Sequence, residues 1–154
     1  MIQPDGTLGN GDGLVTPVWY DTFGRETRED DPTGQRTDSH YDGFGRLTRK
    51  IEDVGGLARY TDWYHNRAGW LTRQSGYTDG TTGGQHTDYA YNRAGVKTLV
   101  TYPDSGTVSF VLDGAGRRTR QTDPRGINID KDYDDAGRVL TKHEATNVYL
   151  DIRI

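Results

Sequence analysis

Apolar residues never accumulate along this chain. They come singly or in pairs, within short stretches of threonine and long polar side chains such as Arg25-Glu26-Thr27-Arg28, Arg46-Leu47-Thr48-Arg49, Trp70-Leu71-Thr72-Arg73, Arg117-Arg118-Thr119-Arg120 and Arg138-Val139-Leu140-Thr141. These stretches have strand composition with weak alternation. Glycines and Asp-Pro pairs interrupt the chain so often that no window of about 12 residues keeps a 3.6-residue period, which nearly excludes helix. Turn signals recur about every ten residues, and that spacing predicts strands of roughly 5–8 residues in an antiparallel meander of about twelve.

The punctuation is itself a repeat. The pattern Tyr-Asp-x-x-Gly-Arg is written six times, as Tyr20-Asp21-Thr22-Phe23-Gly24-Arg25, Tyr41-Asp42-Gly43-Phe44-Gly45-Arg46, His65-Asn66-Arg67-Ala68-Gly69-Trp70, Tyr91-Asn92-Arg93-Ala94-Gly95-Val96, Leu112-Asp113-Gly114-Ala115-Gly116-Arg117 and Tyr133-Asp134-Asp135-Ala136-Gly137-Arg138. Successive glycines stand 21 to 26 residues apart, the signature of a stacked repeat architecture. Asp or Asn at the first turn position bonds the backbone two residues on, and Gly at the fourth accepts positive φ, so each copy predicts a type I turn closed by a glycine bulge. A second set of turns lies midway, at Asp31-Pro32-Thr33-Gly34, Pro103-Asp104-Ser105-Gly106 and Asp123-Pro124-Arg125-Gly126, where Pro presets φ and Gly is expected to supply the left-handed position. Gly13, Gly34, Gly84 and Gly126 each stand seven residues before a repeat tyrosine.

The expectation is therefore an all-β, curved, open sheet, since long meanders curl. Tyrosines in register imply a ladder of rings, each packing on the next across the strands in place of a conventional core. The arginine after each turn glycine is expected to lay its stem along the ring and reach the turn aspartate, an exposed pair worth only about 0–1 kcal/mol.

Composition sharpens this picture. Hydrophobic residues make up 31% of the 154 residues and mean hydropathy is −0.90, too polar for an ordinary globular core. Such a composition also suits disorder, but strict period and turn chemistry favour ordered strands. The net charge of −4 comes from 19 basic and 23 acidic residues interleaved throughout, so no basic stripe exists to track nucleic acid. With no cysteine, neither disulfides nor thiolate metal sites hold the fold. No run of about 18 apolar residues predicts a membrane span, and the start Met1-Ile2-Gln3-Pro4-Asp5-Gly6 lacks a secretory signal.

Candidate chemistry is thin. His40, His65, His86 and His143 show no short paired spacing of a zinc site, and His65 takes the place of a repeat tyrosine. The run Asp130-Lys131-Asp132-Tyr133-Asp134-Asp135 imitates half a calcium loop, but position six is not Gly and position twelve is Thr141 in place of Glu. Asn10-Gly11-Asp12-Gly13 reads as lead-in. No nucleophile elbow or phosphate-cradling loop is present, so neither catalytic residue, metal nor cofactor is expected. The remaining exposed chemistry is aromatic: Trp19, Trp63 and Trp70 are candidates for stacking on a ligand such as a sugar.

The residues resemble the Rhs/YD-repeat family, whose consensus is Tyr-Asp-x-x-Gly-Arg-Leu-Thr before a variable strand and a Gly-containing turn. Tyr41 to Thr48 reproduces it outright, Tyr20 to Thr27 departs at Glu26, and Tyr133 to Thr141 carries one extra residue. Copies three and four depart at Asn66, Asn92, Trp70 and Val96, and copy five at Leu112. The insertion Ser75 to Gln85, with Gly76, Gly80, Gly83 and Gly84, is expected to be a flexible excursion. The resemblance divides the chain into a lead-in at 1–12, six repeats at 13–143 and a tail strand at 144–154. It implies a β-sheet ribbon wound in a spiral, which in large members, among them insecticidal toxin complexes, polymorphic toxins and teneurins, forms a shell around a toxic polypeptide. The family's self-cleaving terminal segment is not matched. A structural encapsulation module within a secreted or cell-surface toxin-like protein is the implied function, with a toxin or effector polypeptide, or further repeats, as partner. A surface module binding carbohydrate or protein is the alternative. The alternating tail Thr146 to Ile154 is the segment expected to add across an open sheet edge.

Overall fold

A computed structural model describes residues 16–54, 56–78 and 84–144. Those residues contain no helix. They form twelve strands, β1 (Val18–Tyr20), β2 (Glu26–Asp30), β3 (Arg36–Tyr41), β4 (Leu47–Val54), β5 (Leu57–His65), β6 (Leu71–Thr78), β7 (Gln85–Tyr91), β8 (Lys97–Thr101), β9 (Thr107–Leu112), β10 (Arg118–Thr122), β11 (Asn128–Tyr133) and β12 (Val139–Glu144). Strand order in the sheet follows chain order from β1 to β12, and the described pairings are antiparallel. The sheet is not closed. An antiparallel meander is the topology that turns every ten residues dictate, because each short connection can only return the chain beside itself.

Contacts divide the chain into two compact units, Met1–His86 and Thr87–Ile154. In the first, the long strands β4, β5 and β6 are held in continuous register, with Arg49 opposite Asp62 and Tyr60 opposite Tyr77. In the second, one face of the sheet places Tyr89 opposite Val100 and Val100 opposite Val108. Val100 is the one buried hydrophobic residue among those described, and Asp62 the one buried charge. No side chain there is completely enclosed. The sheet therefore has half-covered side chains on its faces and no layered core, so its stability rests on ladder hydrogen bonds, turns and side-chain pairs.

The Tyr-Asp-x-x-Gly-Arg turns carry out the expected geometry. Gly24, Gly45, Gly69, Gly95, Gly116 and Gly137 all lie at φ between 76° and 89°, and the pairing register slips at Trp19/Tyr20, His40/Tyr41, Tyr64/His65, Ala90/Tyr91 and Asp132/Tyr133, where the bulge absorbs one residue. The midway turns are less uniform. Gly34 and Gly126 take the left-handed position, but at Pro103-Asp104-Ser105-Gly106 the residue with positive φ is Ser105, at 67°. The turn begins one residue earlier than the sequence implied, at Tyr102, whose carbonyl accepts the Ser105 N–H. Gly84 has a different reason: a Cβ there would meet the Gly76 carbonyl and Tyr77 Cβ at 3.0 Å. Of the insertion, Ser75 to Thr78 belong to β6; Gly80 and Gly83, like the lead-in at 1–12 and the tail Thr146 to Ile154, lie outside the described residues.

Candidate functional site

The repeated turn is the unit from which any function must be built. In copy two, Asp42 Oδ1 accepts the backbone N–H of Phe44 at 2.9 Å and of Arg46 at 3.0 Å. Its Oδ2 takes the Arg46 guanidinium, with Nε at 2.7 Å and a second nitrogen at 2.6 Å. Asp21 with Arg25, and Asp113 with Arg117, repeat this arrangement, and Asp134 with Arg138 repeats its Arg half. The Arg46 guanidinium and then its N–H hold the Asp42 carboxyl below the usual range, and the Arg117 N–H and guanidinium do the same for Asp113. These carboxylates are bound and charged, which makes them poor proton acceptors.

The arginine does not stop at its own turn. Arg25 lies 4.8 Å above the ring of Tyr41 and donates to the Asp42 carbonyl at 3.3 Å. Arg117 lies 4.8 Å above Tyr133 and donates to the Asp134 carbonyl at 3.1 Å. Arg46 donates likewise to the Asn66 carbonyl at 3.3 Å. Each ring returns a bond to the preceding repeat: Tyr41 Oη donates to the Glu26 carbonyl and Tyr133 Oη to the Arg118 carbonyl, both at 2.8 Å. The ladder is thus arginine on tyrosine rather than ring on ring; one described ring pair stacks directly, Tyr60 on Tyr77 at 4.8 Å. A guanidinium fits because its flat face satisfies the ring while its edge satisfies a carboxylate and a carbonyl. Where copy three puts His65 in the tyrosine slot, its Nδ1 is buried without a partner.

Two further regularities carry signals that reading the motif by itself missed. Asp occurs in every copy that has Arg, and Asn66 and Asn92 occur in the copies with Trp70 and Val96. Asn keeps the turn: Asn92 Oδ1 accepts the Ala94 and Val96 N–H groups, and Asn66 Oδ1 that of Trp70. A carboxylate is used where a guanidinium neutralises it and an amide where none does. The motif threonine has its own task, since Thr27, Thr48, Thr72 and Thr119 donate to the carbonyl before the repeat tyrosine, at Trp19, His40, Tyr64 and Val111. In copy six the extra residue moves Thr141 onto Asp132 Oδ2 instead, at 2.5 Å.

Outside the turns, one cluster stands out. Arg49 from β4 grips Asp62 of β5 through two hydrogen bonds of 2.6 and 2.8 Å and also donates to Tyr77 Oη at 3.1 Å. Arg49 holds the Asp62 carboxyl below its ordinary range against the opposing effect of burial, and the pair raises the Arg49 guanidinium in turn. The adjoining groove is lined by His40, Arg49, Asp62, Trp63 and Tyr64. Nothing in the repeat motif announces this pair; it was invisible because the partners stand on different strands.

The stacking candidates are dispersed. Trp19 on β1 carries the Arg28 guanidinium 4.3 Å above its ring. Trp63 lines the groove beside Asp62, and Trp70 stands half-covered in the third turn. Among the described residues no three His, Asp or Glu side chains converge to hold a metal ion. In the acidic run, Asp130 is bound by Arg120 at 2.6 Å and Asp134 by Arg138. No described helix is long and apolar enough to cross a membrane.

Comparison with known proteins agrees with this geometry. Residues 20–58 match the family model described as RHS Repeat, and no curated protein matches. The crystal structure of TcdB2-TccC3-Cdc42 is similar over 89% of this chain at 16% identity and a TM-score of 0.55. The crystal structure of TcdB2-TccC3-TEV covers 84% at 16% identity and a TM-score of 0.46, and a Photorhabdus luminescens Tc holotoxin pore carrying a mutation in TccC3 covers 89% at 12% and 0.45. The chain spans about 9% of the length of each of these. With the motif repeated six times, its turns linked one to the next and a twelve-stranded open meander as the result, the chain belongs to the Rhs/YD-repeat family.

Proposed function

We propose that this chain is a segment of shell wall, a structural module that, with further repeats, encloses or scaffolds a toxin or effector polypeptide within a secreted or cell-surface protein. The observation that carries this reading is a sheet held together laterally, repeat to repeat, with no layered core and with half-covered polar side chains on its faces. A wall needs lateral cohesion and an inner surface that does not offer a large apolar patch to its contents. Its carboxylates are committed to arginines, which supports a non-enzymatic role. Lead-in, repeats and tail at 1–12, 13–143 and 144–154 are the working division.

The test is the parent reading frame and its product. A variable C-terminal domain downstream, protected from protease while the repeats are intact, is the expected result. The second reading, a carbohydrate- or protein-binding surface, is favoured by Trp63 and Tyr64 in the groove beside Asp62. A glycan array decides against the wall if the chain binds a defined sugar and Trp63→Ala abolishes the signal.

A further inference from the structure

The linkage between repeats has two complementary halves, and the outer strands display one each. Arg25, Arg46 and Arg117 have side chains 28%, 27% and 35% exposed because the next turn covers them. Arg138 occupies the same turn position and is fixed by the same bonds, its N–H at 2.8 Å from Asp134 Oδ1 and its Nε at 2.7 Å from Oδ2. Yet its side chain is 82% exposed, and every residue of β12 beside it is exposed. The opposite half lies on β1. Tyr20 is a repeat tyrosine with 48% of its surface exposed. The Asp21 carbonyl accepts the Gly24 N–H, as the Asp42, Asn66 and Asp134 carbonyls accept their glycines, but those three each accept an arginine as well.

We propose that β12 of one copy docks against β1 of a second copy, head to tail. Arg138 then lies over the ring of Tyr20 of the second copy and donates to its Asp21 carbonyl, and Tyr20 Oη donates to the Val139 carbonyl. The direction is right: the odd-numbered strands end in the repeat tyrosine and run antiparallel to the strand before them, so β1 enters where a thirteenth strand would. The chemistry is that of the interior repeats, a cation on a ring with a charged donor on a carbonyl. Because the two surfaces differ, the contact is heterologous and builds open rows rather than closed dimers. This goes beyond the shell-wall reading and does not depend on any cargo.

Sedimentation of the full chain over a range of concentrations tests it, with Arg138→Glu and Tyr20→Ala as variants. The wild type should grow in mass with concentration. Each variant alone should associate about tenfold or more weakly, the scale of a lost cation–π contact and a charged hydrogen bond together. An equimolar mixture of the two should give a species of two chains and no larger, since each variant keeps one intact surface. Circular dichroism melts establish that both are folded; if Tyr20→Ala lowers the midpoint, Tyr20→Phe replaces it, with a several-fold weakening expected from loss of the hydroxyl. A wild type of constant single-chain mass overturns the proposal, as do variants that associate like wild type or that stay single when mixed.

Discussion

Gly114 and Gly116 stand two residues apart in the turn between β9 and β10, and a Cβ on either meets nothing within 4 Å. They differ in backbone. Gly116 has φ of +81°, where an L side chain costs roughly 1–2 kcal/mol, whereas Gly114 is not among the glycines of positive φ. Substituting Ala at each therefore separates strain from crowding. Gly116→Ala should lower unfolding free energy by about 1 kcal/mol, a shift of about 2–4 °C in Tm for a chain of this size. Gly114→Ala should be neutral or stabilise by up to about 1 kcal/mol, by restricting the unfolded chain. Urea denaturation followed by circular dichroism reads both on one scale, with the slope as a check that the same structure is unfolding. Equal effects of the two substitutions would refute the claim that the repeat glycine is required for its left-handed backbone.

Ser105 occupies that left-handed position without being glycine, so Ser105→Gly should stabilise by about 0.5 kcal/mol, the relieved strain exceeding the added chain entropy; a loss of stability in the same urea assay contradicts this. Asp62→Ala, which strands Arg49, should cost about 1–3 kcal/mol, less than the full figure for a buried pair because Arg49 is 43% exposed; an unchanged melt would show the pair to be idle. Val96→Arg should help more in an Asn92→Asp background than alone, by about 0.5 kcal/mol, if turn charge is matched to its arginine; a double-mutant cycle with zero coupling contradicts it. Folded Asp42, Asp113 and Asp134 have lowered pKa values, so the unfolded chain binds more protons below about pH 4. Stability should be full above that range and fall as pH drops through the lowered values, and melting points flat from about pH 5 to pH 2 would contradict the sign.

The turns were legible in the sequence because Asp-x-x-Gly constrains only neighbouring backbone. Strand order followed, since connections so short permit only a meander. What joins the repeats was not legible. Arg25 meets Tyr41 and Arg49 meets Asp62 across strands, and a motif states which residue types recur without stating which repeat each one touches. Ser105 escaped for a related reason: Pro103 and Gly106 mimic a standard turn, and the neighbouring Gly106 drew the assignment away from the strained residue. The pairing of Asp with Arg and Asn with Trp70 or Val96 was in plain view, but acquires meaning only once the guanidinium is seen on the carboxylate.

The account stands or falls on the arginine that spans two repeats. Side-chain NMR of Arg117 tests it directly: beneath its guanidinium lies the Tyr133 ring at 4.8 Å, so its methylene and Nε–H protons should be shifted by the ring current and show cross-relaxation to the Tyr133 ring protons. Tyr133→Leu should return them to ordinary positions while the Gly116 turn resonances persist. Arg117 resonances at unperturbed positions in the wild type, or shifts that survive Tyr133→Leu, would contradict it.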